Sequence, residues 1–410
     1  MLQLVDVVSQ DPRTFEQVIG RRKLEELVAL AEPLRGLRVL HLNATPYGGG
    51  VSELLRSQVP LLLGLGIQAE WRVIAADTPF FKVTKNFHNA LQGAQMDLTE
   101  EAKELYLSHN ERNAEVLDSG YDVIVVHDPQ PAAVRHFTPA KGKCWIWRCH
   151  TDTSQPNQAV WGFLHPFVAE YDAIVFTMTD FVPPGLEDER ISIMAPAIDP
   201  LSPKNMTLPR DVARRLMEWV GVEPDRPLMT QVSRFDPWKD PVGVIKVYRL
   251  ARERVPDLQL ALLGSMAVDD PESWDIYQTI LEESRNDPDV HVFTNLTGVS
   301  NMEVNAFQTL SDVVIQKSIR EGFGLIVSET LWKGTPVVAH KSGGIPMQMP
   351  PESSDLLVDS EDDMAERIVR LLRNPEDARA HGHWGQQWVR ERFLMPRLVA
   401  DELRLIRDVI

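Results

Sequence analysis

The side chains best placed to do chemistry are two acids and two bases in the second half of the chain. Glu321 and Glu329 bracket Glu321-Gly322-Phe323-Gly324-Leu325-Ile326-Val327-Ser328-Glu329. Arg234 and Lys239 bracket Arg234-Phe235-Asp236-Pro237-Trp238-Lys239. Carboxylates accept hydrogen bonds from hydroxyls. Arg grips two oxygens of an anion at once, and Lys acts as a point charge. A ligand that carries both a diphosphate and hydroxyls, such as a nucleotide sugar, suits this set. The other reading is plain: two βα turns with solvated charges.

The elements that must hold these residues can be read around them. Val313-Val314-Ile315 is apolar and β-branched, as a buried strand is. Leu325 to Lys333 holds good helix formers and stops at Gly334-Thr335-Pro336. The segment between is therefore an acidic glycine loop joining strand to helix. Gly322 and Gly324 let backbone approach a ligand closely. The helix start behind them, at Leu325, offers free N–H groups and the positive end of its dipole to an anion. Leu228 to Ser233 is likewise a strand, with Arg234 to Pro241 as its exit loop.

Composition bounds the rest. At 410 residues the chain is long for one core, and two domains are expected. Apolar residues make up 43% and charged residues 25%, as in globular proteins. The net charge of −17 speaks against nucleic acid or anionic membrane as partner, and it means that a phosphate ligand needs a local basic cluster. No apolar run reaches the length of a membrane span, and Met1 to Asp6 carries no basic leader, so a cytoplasmic location is expected. Cys144 and Cys149 fall on opposite faces of one strand, poorly placed to pair with each other and too few for a zinc cage.

In chain order, residues 1–35 read as a helical lead-in, clearest from Glu16 to Ala31. The strand Leu37 to Asn43 runs through Ala44-Thr45-Pro46-Tyr47 into Gly48, Gly49 and Gly50, and then a helix from Val51. This is either a phosphate- or sugar-approach loop or a tight turn, and it lacks the spacing of a dinucleotide fingerprint. A strand from Ala69 to Ala75 precedes an irregular stretch, 76–95. The strand Val123 to Val126 ends at His127-Asp128-Pro129-Gln130, where an open α/β sheet puts ligands. Asp128 is also acceptable as a helix N-cap before a proline. The strand Lys143 to Cys149 ends at His150-Thr151-Asp152. A lone histidine is more often structural than functional, but its place at a strand end favours His150. Asp152 is a weaker candidate for a hydroxyl contact. Ala195 to Pro200 is proline-marked and is the expected crossing to the second domain. Both halves alternate strand and helix, which predicts a pair of Rossmann-like α/β domains.

The Glu-x7-Glu segment with its internal Gly-Phe-Gly, and the run Ser233 to Lys239, resemble the retaining glycosyltransferases of the GT-B fold, glycosyltransferase family 4. The resemblance covers most of the chain. It implies two Rossmann-like domains facing a central cleft: 1–198 on the acceptor side, 199–394 holding the donor, and a last helix, 395–410, returning to the first. It implies that Glu321 contacts donor-sugar hydroxyls, that Glu329 binds the ribose, and that Arg234 and Lys239 hold the diphosphate. His150 would meet the donor sugar, Asn295 and Leu296 would lie at the base, and Gly48 to Gly50 would border the acceptor and donor-phosphate side of the cleft. Gly322, Phe323, Gly324 and Leu325 would line the donor site. The stretch 76–95 would cover the acceptor pocket.

Asn43 to Val51 and His127 to Gln130 resemble the branch of the family that joins glucose from UDP- or ADP-glucose to free glucose, giving trehalose. The partners expected are thus a nucleoside-diphosphate glucose, a small sugar and, for assembly, a second copy of the chain. No Asp-x-Asp metal motif is evident. No cofactor is expected to be obligatory, with Mg2+ at most stimulatory. Transfer of the sucrose-phosphate or glycogen synthase type, a GT-B sugar-nucleotide epimerase and a non-catalytic nucleotide-sugar sensor stay open as alternatives.

Overall fold

The structure is a computed structural model, and it describes residues 2–138, 142–186, 188, 190–266 and 271–410. Its contacts divide into two compact units. The first is Met1–Pro196 with Met395–Ile410, and the second is Ala197–Leu394.

The first unit is built on a seven-stranded sheet. Its strands are β1 (Gln3–Leu4), β2 (Arg38–Asn43), β3 (Gln68–Val73), β4 (Tyr121–His127), β5 (Gly142–Arg148), β6 (Ala173–Phe176) and β7 (Ile191–Ile193). Their spatial order is β1-β3-β2-β4-β5-β6-β7. All neighbours are parallel except the edge strand β1, which runs antiparallel to β3. The central strands are apolar on both faces, as a parallel sheet covered by helices requires. One face packs Leu40, Leu42, Ile124, Val126, Trp145 and Trp147 into a core with Phe80, Phe87 and Tyr106.

The second unit has a six-stranded sheet of β8 (Leu228–Arg234), β9 (Gln259–Ser265), β10 (Val290–Thr294), β11 (Val313–Gln316), β12 (Val337–His340) and β13 (Leu357–Val358). The order is β10-β9-β8-β11-β12-β13, parallel throughout. In each unit the strand order reverses once. The reversal lies between β2 and β4 in the first unit and between β8 and β11 in the second. Open α/β sheets bind ligands outside the carboxyl ends of the strands at such switch points. Both units thus have an α/β Rossmann-like architecture.

Three local expectations need correction. The stretch 76–95 is not irregular: Thr78–Leu91 is a helix. Asp77 caps it by accepting from the Phe80 N–H, Pro79 sits in its first turn, and Phe80, Thr84, Phe87 and Leu91 form a buried stripe. The mixed polar composition hides that stripe from a reading by composition. The lead-in is not purely helical either. It begins with β1, and Gly20 at φ 80° splits its helical part into Glu16–Ile19 and Arg21–Ala31. Asp128 is not a helix cap: it holds φ 63° at the end of β4, a backbone that only Asp, Asn and Gly adopt readily. Cys144 and Cys149 are free and buried. No described helix is long and apolar enough to cross a membrane.

Candidate functional site

In the second unit, the loops leaving β8 and β11 flank the switch point and are tied to each other. The β8 loop is fixed from below. Phe235 is buried over Gly264 of β9, where a Cβ would come within 2.4 Å of the ring. Asp236 accepts from the Trp238 N–H at 2.8 Å. Asp240, left-handed at φ 45°, caps the helix Pro241–Arg252 through the Gly243 N–H. The Ile319 N–H then donates to the Trp238 carbonyl at 2.7 Å, joining the β11 loop to the β8 loop. Lys317 pairs with Asp240 across the same gap.

This frame brings Lys239 and Glu321 together. Lys239 Nζ donates to Glu321 Oε2 at 2.6 Å, and the same oxygen accepts from Ser318 Oγ at 3.0 Å and Gln316 Nε2 at 3.2 Å. Glu321 is only 9% exposed. Its backbone is held close by the next loop: a Cβ on Gly343, at φ 50°, would sit 1.6 Å from the Glu321 carbonyl oxygen. Gly324, at φ 82°, precedes the helix Leu325–Trp332 and turns the chain so that its first N–H groups end at this loop. Arg234, half-exposed, reaches Asp236 at 3.1 Å. An arginine, a lysine, a carboxylate and a helix start therefore share the carboxyl ends of two adjacent strands.

The remaining candidates of this unit stand apart. Glu329 lies on the inner face of that helix, 1% exposed, paired with Lys204 at 2.9 Å and accepting from Gln308 Nε2 at 3.3 Å. Lys204 was not legible as a partner, because it sits in a proline-marked segment far away in sequence. Asn295 follows β10, two strands from β8, and clamps residue 266: Oδ1 accepts from the Met266 N–H at 2.7 Å, and Nδ2 donates to its carbonyl at 3.1 Å. Leu296 beside it is exposed.

In the first unit, His150 follows β5. Its backbone N–H donates to Asp128 Oδ1 at 2.8 Å, and its Nε2 lies 3.0 Å from His127 Nδ1. Burial raises the Asp128 carboxyl to about 6, against the pull of the His150 N–H and the Arg148 charge. His127 Nε2 is in turn 3.2 Å from His41 Nδ1. Burial holds His127 and His150 well below the usual imidazole range, with Arg148 opposing the charged forms as well, and it lowers His41 in the same way. Arg148 itself is 3% exposed, carries two Nη atoms without a hydrogen-bond partner, and is pushed down to about 10 by its burial. Asp152 accepts from the Ser154 N–H and Oγ at 3.0 and 2.6 Å. After β2, Gly48 at φ 82° and Gly49 as N-cap open the helix Gly50–Gly64. A Cβ on Gly48 or Gly49 would meet nothing within 4 Å.

Sequence reading singled out His150 and Asp128 but not His41, Arg148 or Glu402, to which this cluster leads. The available signals were faint: a histidine inside an apolar strand, and a glutamate on the apolar stripe of the last helix.

The two Rossmann-like sheets are those of the GT-B fold. The likeness to solved structures is broad. A trehalose-6-phosphate synthase, OtsA, superposes with a TM-score of 0.72 at 14% identity, covering 91% of this chain and 99% of that one. Sucrose-phosphate synthase from Thermosynechococcus elongatus gives 0.70 at 16%, covering 90% and 98%. The family profile described as "Trehalose synthase, N-terminal domain" matches residues 41–183, and "Glycosyl transferases group 1" matches 214–388. Trehalose synthase of Rubrobacter xylanophilus is 51% identical over the full length of both chains. That of Pyrococcus horikoshii is 46% identical, covering 96% of this chain and 95% of its own. The chain belongs to the trehalose synthase family, and it is an enzyme of the glycosyltransferase kind.

Proposed function

We propose that the chain moves glucose from a nucleoside-diphosphate glucose, UDP- or ADP-glucose, to free glucose and forms trehalose with retention at the donor anomeric carbon. The observation that carries this reading is the cluster of Arg234, Lys239, Glu321 and the Leu325 helix start at the second unit's switch point.

In this reading the two cations and the helix N–H groups meet the charge that develops on the leaving diphosphate. The acceptor hydroxyl attacks the anomeric carbon from the face the diphosphate leaves. The C–O bond to phosphate breaks, the new C–O bond forms, and the hydroxyl proton passes to the departing phosphate oxygen. His150 and Glu321 orient the sugar and do not act as nucleophiles. The ribose hydroxyls exchange for the Lys204 ammonium on Glu329, and Asn295 and Leu296 border the base. Gly48, Gly49, Gly50, Asp128 and Asp152 serve the acceptor and sugar side. A homodimer and a cytoplasmic setting complete the proposal.

One second reading has an observation behind it. Trehalose phosphorylase of Pleurotus pulmonarius is 29% identical over 83% of this chain and 52% of its own. There the anion at Lys239 would be orthophosphate and the donor glucose 1-phosphate. Incubating the chain with glucose and UDP-glucose, ADP-glucose or glucose 1-phosphate separates the two. Trehalose formed with an α,α linkage from UDP-glucose or ADP-glucose supports the proposal. Trehalose formed only from glucose 1-phosphate, or no disaccharide from any of the three, overturns it.

A further inference from the structure

Behind His150 the sheet carries a line of buried imidazoles that the transfer step does not use. Strand register explains the line. His41 of β2 lies opposite Val125 of β4, and His127 of β4 opposite Arg148 of β5. Side chains two residues apart on a strand share a face. Each step to the next strand therefore moves one pleat toward the carboxyl edge on one face: His41, then His127, then His150. The ring planes differ by 30° between His41 and His127 and by 18° between His127 and His150.

The far end of the line is closed by the last helix, Met395–Val409. Its Leu398, Val399, Leu403 and Ile406 are buried, and the one acid among its buried residues is Glu402, 3% exposed. Glu402 Oε1 lies 3.6 Å from His41 Nε2, and Oε2 accepts from Gln58 Nε2 of the helix Gly50–Gly64. His41 Nε2 is buried and has no hydrogen-bond partner among the described residues. A lone pair there would face a carboxylate across an apolar interior, and a proton there would be attracted.

One choice then sets the rest. With the proton on His41 Nε2, His41 Nδ1 is an acceptor and must receive the Nε2–H of His127. His127 Nδ1 is then an acceptor and must receive the Nε2–H of His150. Burial keeps the rings neutral, so each has one N–H to place. His150 Nδ1 is left with a lone pair and bonds to no described residue. The other charged groups facing the line are Arg148 on β5 and Asp128 on the β4 loop, with Arg397 and Asp401 of the last helix further out. Asp128 already spends Oδ1 on the His150 N–H.

We propose that Glu402, acting through His41 and His127, is a positioning residue that fixes the tautomer of His150 and leaves its Nδ1 as a hydrogen-bond acceptor for a sugar hydroxyl. The identity of that hydroxyl's owner rests on the function proposed above, and the tautomer does not. The last helix thus contributes to the site through three rings, without touching a substrate.

The test is nitrogen-15 NMR of the histidine rings in the full chain, with the His150 signals identified by their loss in His150→Asn. The wild type should show His150 as a single Nε2–H tautomer at neutral pH. Glu402→Met, which keeps length but removes the acceptor, should shift the His150 ring nitrogens toward averaged values. It should also lower kcat/KM for UDP-glucose roughly tenfold, the worth of one hydrogen bond to a neutral group, with UDP affinity unchanged. His150 found as the Nδ1–H tautomer in the wild type, or unchanged in Glu402→Met, would overturn the proposal. The wild-type spectrum decides even where the variant does not fold. A wild type that gives the expected tautomer but turns over neither UDP-glucose nor ADP-glucose overturns the proposed function and leaves the relay standing.

Discussion

The two switch points solve the problem of a polar site in opposite ways. In the first unit the polar groups are imidazoles kept neutral by burial, His41 and His127 in ring-to-ring contact behind His150 with a glutamate of the last helix facing His41. In the second they are full charges in pairs, Lys239 with Glu321 and Arg234 with Asp236, at the mouth of the strands. Neutral rings can orient a hydroxyl but add little charge. Paired charges can meet an anion, because a phosphate replaces the carboxylate on a lysine at small cost. On the proposed function, the neutral site suits sugar hydroxyls alone, and the charged site suits the diphosphate together with the sugar hydroxyl that Glu321 meets.

Breaking the charged side should give the largest effect. Glu329→Ala leaves the Lys204 ammonium, 12% exposed, without its carboxylate. Loss of one partner of a buried pair costs roughly 3–5 kcal/mol. A marked fall in the urea midpoint, with weaker UDP-glucose binding, is expected. A midpoint equal to wild type would show that the pair is not structural.

Acid should break the neutral side next. His127 and His150 lie well below their unfolded value, so the unfolded chain binds more protons and stability falls as pH drops through about 6.5. Asp128, at about 6, works the other way: the folded chain binds its proton first, and stability rises as pH falls through that value. Between about pH 7.5 and 5.5 the buried histidines, His41 included, therefore bring a loss of stability, and Asp128 returns part of it. Denaturant unfolding across that range measures it. In His127→Asn the loss should be clearly smaller than in the wild type; an unchanged loss would place the acid sensitivity elsewhere.

The smallest effect belongs to Arg234. Its side chain is half-exposed, so screening reduces its worth. Arg234→Ala should weaken UDP about tenfold, about 1.4 kcal/mol, and the difference should shrink in high salt. Equal affinity at low salt would remove Arg234 from the diphosphate site.

How much of this was legible in the sequence follows the same division. The charged site is local: a β-branched strand, a loop with glycines and a helix start lie in one short stretch around Glu321, and a strand, a proline-marked loop and a helix start lie in another around Arg234. The α/β architecture was legible for the same reason, from the alternation of strands and helices. The neutral line is not local. His41, His127 and His150 come together through the register of three strands, and Glu402 comes from the far end of the chain. No window of sequence contains two of them. The helix Thr78–Leu91 was hidden for another reason, since its apolar stripe is broken up by Lys82, Lys85 and Asn86 on the outer face.

The central claim is that the second sheet, through Arg234 and Lys239, holds a nucleoside diphosphate. Calorimetric titration of UDP into the wild type and into the Arg234→Ala, Lys239→Ala double variant tests it most directly. Two charge-assisted contacts at about 1.5 kcal/mol each predict an affinity at least a hundredfold weaker in the variant. The same affinity in both proteins would contradict the account.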